Sequence, residues 1–266
     1  MVYKRKNFSR IRGGEMRRII LLGILSFCLP MLAYAASIGG IETQGKGKFA
    51  VQVEYENIFD RDLKLAKTNY HPQPANIDKV EIKKLYRSMV KANYGLLDPA
   101  DVYLKLGVSS FKQRVKDSYG NGHINIYDSQ SGLAYAIGVK YIFPWTTYGW
   151  LLGVDTQYLR QSNDWKTKAD FQGEGDKAYL YEWQIACLLG RKLGNFTPYL
   201  GVKYSDLRVK TRWAGVDEGK WEKYKAKDHW GVILGTDYKL SKSWALNFET
   251  RFIDETAISF GGTYRF

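Results

Sequence analysis

From Lys48 to Phe266 the chain repeats one pattern, in which apolar and polar side chains alternate residue by residue. A period of two places successive side chains on opposite faces of an extended strand. Each such stretch therefore predicts a strand with one apolar and one polar face. Ten are read: Lys48–Ile58, Lys79–Tyr94, Asp101–Phe111, Leu133–Phe143, Tyr148–Gln161, Lys177–Leu189, Thr197–Arg208, Asp228–Leu240, Trp244–Ile253 and Thr256–Phe266. In the first, Phe49, Val51, Val53 and Tyr55 oppose Gln52, Glu54 and Glu56. The sixth sets Tyr179, Tyr181, Trp183, Ile185, Cys187 and Leu189 against Glu182 and Gln184.

The connections carry topology. Short links at Gly95–Ala100, Pro144–Thr147, Arg191–Phe196 and Ser241–Ser243 alternate with long ones at Phe59–Asp78, Val115–Ser131, Ser162–Asp176 and Val209–Lys227, and the link at Asp254–Thr256 is tight. A membrane barrel puts short turns on the periplasmic side and long loops outside. The first connection is long, so the first strand runs outward and ten strands bring the chain back. The expectation is an all-β, antiparallel up-and-down transmembrane β-barrel of about ten strands, with both termini periplasmic. A soluble sandwich would also alternate, but it needs its aromatic faces to meet one another. Residues 48–266 read as one domain. Residues 36–47, with Gly39, Gly40, Gly45 and Gly47, read as a flexible periplasmic lead-in.

The two ends sharpen this reading. Arg17 and Arg18 precede an apolar stretch, Ile19–Leu32, which ends at Ala33-Tyr34-Ala35. Residues 1–35 read as a secretory signal cleaved before Ala36, with Met16 as an alternative start. The stretch is shorter than the roughly 20 residues of a spanning helix. At the other end Ile258, Phe260, Tyr264 and Phe266 share one face of the last strand, and the chain stops on an aromatic. This ending resembles the closing strand of Gram-negative outer-membrane β-barrel proteins, whose insertion machinery recognises a terminal Phe preceded by alternate apolar residues. The resemblance spans residues 36–266. It implies a bacterial outer-membrane location, contact with lipid and lipopolysaccharide, and the barrel-assembly machinery as a partner.

Charge and composition change the picture only slightly. Residues 1–35 carry seven Lys or Arg against Glu15 alone, so the rest of the chain holds +7 of the total +13. Acids are interleaved with those bases and no recognition motif accompanies them, so a nucleic-acid partner is not expected. Cys187 is the one cysteine beyond residue 35, which leaves no internal disulfide. Mean hydropathy is −0.38 and no helix-length apolar run follows residue 35. A closed barrel is then the way to satisfy the backbone in lipid, and the 20 Tyr and 8 Trp suit its interfacial girdles.

Candidate chemistry is sparse. If the aromatic faces look outward, the lumen is lined by Glu54, Glu56, Lys83, Arg87, Lys91, Lys105, Lys140, Asp155, Glu182, Lys203, Asp237, Glu249, Arg251 and Arg265, with His229 among the inward positions. Long side chains of both signs in a narrow interior predict a self-plugging network of ion pairs. The alternative is a narrow, porin-like diffusion channel for small anionic solutes. An outer-membrane hydrolase is a remote third. The omptin proteases, also ten-stranded, would require an Asp-x-Asp pair facing an Asp-x-His pair, and only Asp60-Arg61-Asp62 is present. Those aspartates read as a solvated loop pair. The stretch Gly173–Ala178 has the outline of a dinucleotide fingerprint but leads into a strand, so it carries no such site. No cofactor or metal is expected, since one Cys and three scattered His give no ligand spacing. The cationic and aromatic loop with Lys210, Arg212, Trp213, Trp221, Lys223, Tyr224 and Lys225 is the candidate surface for lipopolysaccharide or external partners.

Overall fold

The computed structural model describes residues 37–69, 77–117, 124–143, 147–166, 176–212 and 219–266. Its strands are β1 (Phe49–Thr68), β2 (Ile77–Leu97), β3 (Ala100–Asp117), β4 (Ile124–Asp128), β5 (Gly132–Phe143), β6 (Trp150–Asp164), β7 (Lys177–Arg191), β8 (Phe196–Arg212), β9 (Trp221–Ala226), β10 (Trp230–Lys239), β11 (Trp244–Phe252) and β12 (Thr256–Arg265). Ten of them, all but β4 and β9, form a ring in which each strand pairs with its neighbours, and β12 returns to pair with β1. Val51 lies opposite Tyr264 in that closing pair, and the Phe266 N–H donates to the Phe49 carbonyl.

The two additional strands lie within connections expected to be loops. Strand β4 pairs with β3. Strand β9 bridges β8 and β1, with Lys225 opposite both Arg208 and Lys64. At this end β1, β3 and β8 extend well past the expected boundaries, so the wall stands tall on the side of the long connections.

Alternation sets the two faces. Val53, Val90, Leu104, Leu106, Ile137 and Leu200 are at least half exposed on the outer face, whereas the polar residues between them are buried inside. Two irregularities break the period. The register shifts between Ile58 and Asp60 in β1 and between Ile82 and Lys84 in β2, each the signature of an extra residue that exchanges the faces. Arg61 therefore points inward at 1% exposure. Lys83, expected in the lumen, is carried instead to the outer side, where it pairs with Asp60 at 2.8 Å.

Residues 37–47 are not a flexible lead-in. From the short-turn end, where the Gly47 N–H donates to the Gly95 carbonyl, the segment runs into the ring. Ser37, Ile38, Gly40 and Ile41 are buried against inward residues of strands around its circumference. The reading of residues 1–35 as a signal lies outside the described residues.

Candidate functional site

The interior is filled in three layers, each set by what the local sequence turns inward. Nearest the short turns, charged side chains hold a peptide segment. Lys105 donates to the Ser37 carbonyl at 2.6 Å and Lys91 to the Ile38 carbonyl at 2.8 Å, while Lys140 donates to the carbonyl of Gly40. In return Glu249 accepts the Ile38 N–H at 3.2 Å and Asp237 accepts the Ile41 N–H at 3.0 Å. Backbone groups that would be orphaned inside a barrel are thereby satisfied. Ile38 and Ile41 pack with Ile142, Leu151, Leu188, Tyr199 and Ile233. Glu54 pairs with Lys105 at 2.8 Å, and the Tyr103 hydroxyl donates to Asp155 at 2.7 Å. At the mouth Arg265, half-buried, reaches Glu42 at 3.5 Å and donates to the Gln44 side chain.

The middle layer is an ion-pair network. Arg87 bonds Glu56 at 3.0 Å and Glu182 at 3.4 Å. Arg251 donates to Glu56 at 2.7 Å and lies 3.2 Å from the Glu249 carboxylate without a hydrogen bond. Arg61 bonds Glu182 and Glu255, both at 2.6 Å. Lys203 meets Asp254 at 3.0 Å and also Glu255. Sequence reasoning missed Arg61, Asp254 and Glu255. Arg61 lies past the β1 irregularity. The two acids belong to the tight β11–β12 link, which turns through Ile253 at a φ of 86° and tucks them inside.

Toward the long connections the lining becomes apolar. Ile58, Leu63, Val80, Ile82, Leu85, Phe111, Val115, Trp165, Leu180, Leu207, Val209 and Tyr224 form one buried cluster. Little space remains in the short-turn half. A cavity beside Ser37, Glu54 and Arg87 holds about 10 Å³ and another beside Gly39, Glu42 and Asp237 about 20 Å³, room for single waters.

The expected surface loop is part of the wall. Lys210 and Lys223 face each other across β8 and β9, and Lys67 lies on the other side of Lys223. Trp221 lies under both Lys223 and Lys210, with the ammonium groups 5.0 and 5.8 Å from its ring centroid. Arg208, Arg212, Lys225 and Lys64 continue this outward lattice. Tyr224 does not belong to it: strand alternation turns it into the apolar cluster at 2% exposure. Trp213 lies outside the described residues.

Asp60, Asp62 and Glu81 bring carboxylate oxygens within 4.8 Å of one another. Lysines already occupy them: Lys83 contacts Asp60 and Glu81, and Lys79 contacts Asp62 and Glu81. His229, expected inside, is on the outer side, stacked on Tyr204 with its Nδ1 2.9 Å from the Ser205 carbonyl oxygen.

No protein-family model matches the chain, and no curated protein matches it. Solved structures of similar outline include the outer membrane protein OprG from Pseudomonas aeruginosa, with 14% identity, coverage of 85% of this chain and 99% of that one, and a TM-score of 0.46. The outer membrane protease OmpT from Escherichia coli is 9% identical over 82% of this chain and 97% of its own, with a TM-score of 0.48. Ail, the attachment invasion locus protein of Yersinia pestis, is 9% identical over 83% and 99%, with a TM-score of 0.37. At these scores the likeness is one of outline.

Proposed function

We propose that the chain is a non-enzymatic integral protein of the bacterial outer membrane, a β-barrel sealed from within, whose cationic outer wall contacts lipopolysaccharide. The observation that carries the sealed reading is the burial of residues 37–41 on Lys91, Lys105 and Lys140. These are the side chains an anion channel would need free, and here they hold backbone carbonyls. The closed ring with an apolar exterior supports the membrane location.

On the outer wall, facing cations in neighbouring strands repel one another unless an anion lies between them. The row Lys67, Lys223 and Lys210 sits beyond the apolar band, at the height where lipid phosphates would supply that anion. Phe266, exposed at the closing seam, is the residue by which the assembly machinery would recognise the chain.

Single-channel recording of the purified protein in a planar bilayer tests the seal. Silence, or rare brief openings, is expected. Large steady channels whose anion preference reverses in Lys105→Glu would overturn this reading in favour of a diffusion channel.

A further inference from the structure

The segment that fills the short-turn half is held as a ligand is held. Its contacts are to backbone groups, supplied by buried side chains of β2, β3, β5, β10 and β11, and it makes no strand pairing with the ring. Two positions read its sequence. Gly39 and Gly40 have φ of 70° and 93°, and a Cβ there would come within 2.3 Å of Glu54 and 2.5 Å of Asp237. The left-handed backbone at both positions favours glycine, and any Cβ would also have to displace those carboxylates. Ile41 is read by small residues across the ring, its side chain lying 3.0 Å from where a Cβ on Gly190 would be.

Direction is fixed as well. The segment enters beside the β2–β3 turn, where Asp98 accepts the Lys46 N–H and Asp101 the Gln44 N–H, and it reaches Ser37 beneath the ion-pair layer. Past Ser37 stand Glu56 and Arg87, then the apolar cluster. Among the described residues, these wall side chains take up the interior beyond Ser37.

We infer that the short-turn half of the interior is an exchangeable peptide-binding site, whose occupant is the chain's own Ile-Gly-Gly-Ile segment, taken up through the short-turn mouth with a free N-terminus leading. The inference rests on the sealed-barrel reading and on removal of residues 1–35. It makes sealing a binding event, separable from closure of the wall.

The test uses the chain from Ala36 onward with a protease site inserted between the exposed Lys46 and Gly47, folded in lipid vesicles and then cut. A labelled synthetic peptide of residues 36–46 should load the cut barrel to one per molecule, displacing the fragment, while uncut barrel takes up none. Peptides carrying Gly39→Ala or Gly40→Ala should bind at least tenfold more weakly, as should the parent peptide to a Lys105→Met barrel. A peptide lengthened at its N-terminus by residues 26–35 should not load. Absence of saturable uptake, a fragment that never exchanges, or equal loading by the lengthened peptide would each overturn the inference. If the uncut protein is silent in a bilayer yet the cut form takes up no peptide, this inference alone falls. Steady conductance of the uncut protein would remove the sealed-barrel reading beneath it.

Discussion

The two ends of the barrel interior are closed by opposite means. Toward the long connections, Phe111, Leu180, Val209 and their neighbours fill the space with side chains of the wall itself. Toward the short turns the wall offers Lys91, Lys105, Lys140, Asp237 and Glu249, and the filling is a separate stretch of backbone. An apolar lining is complete when its own groups touch. A charged lining is complete only when each group finds a partner. The difference teaches that inward charge in a narrow ring creates a demand that other charge or peptide groups must meet. Between the halves, the network of Arg61, Arg87, Glu182 and Arg251 meets it mainly with ion pairs, helped by Ser205 and Gln161.

The largest expected effect is at that boundary. Glu182→Gln leaves Arg61 and Arg87 without a shared carboxylate and should lower stability by about 3 to 5 kcal/mol, read from urea unfolding in lipid vesicles. An unchanged midpoint would mean that the middle layer is solvated, and the contrast between the halves would dissolve. In the apolar half, Leu180→Ala should cost about 2 to 5 kcal/mol through lost burial and the cavity left behind. That loss should leave peptide uptake at the other end intact, which titration of the double variant with the cut site measures.

On the outer face Ile185→Arg should cost about 2 to 4 kcal/mol if the site lies at mid-bilayer, seen as reduced heat-modifiable folded protein on a gel. Full folding of that variant would place lipid elsewhere. Least affected should be Asp60→Asn, which breaks a pair with Lys83 that is 39% and 33% exposed. A change under about 1 kcal/mol is expected in the same unfolding assay, as for exposed ion pairs generally.

Much of this was legible because a ring wall has only two faces. Alternation alone assigned Glu54, Glu56, Arg87, Lys105, Lys140, Glu182 and Arg251 to the interior, where they are buried. What alternation could not show is where it resets. One extra residue near Phe59 and another near Lys83 exchange the faces without changing residue types, so Lys83 was assigned to the wrong face, and Arg61 was missed because the first strand was read to end at Ile58. Adjacent apolar residues, Ile58-Phe59, were the available signal, since a strict period of two separates such residues.

Strand β9 was hidden by charge. Trp221-Glu222-Lys223-Tyr224-Lys225-Ala226 reads as a solvated loop until it is paired on both sides, when Tyr224 and Ala226 turn inward. Residues 37–41 lack any strand period, so glycine was read as freedom. The clue lay in Ile38 and Ile41, which a solvated leader has no reason to carry.

The seam between β1 and β12 has a consequence in time. The first strand of the ring finds its second neighbour in the last, and the bond from the Ile38 N–H to Glu249 spans 211 positions of sequence. Contacts so remote give the fold a high contact order, whose loop-closure entropy must be met before the contacts stabilise anything. Until Thr256 and the residues after it arrive, the Ala50–Asp60 stretch of β1 presents a bare edge, the kind of template on which chains aggregate. A chain truncated before β12 would therefore be no smaller barrel. It would be a wall joined only where β9 bridges β8 and β1, with the rest of β1 and β11 unpaired and its charged lining exposed.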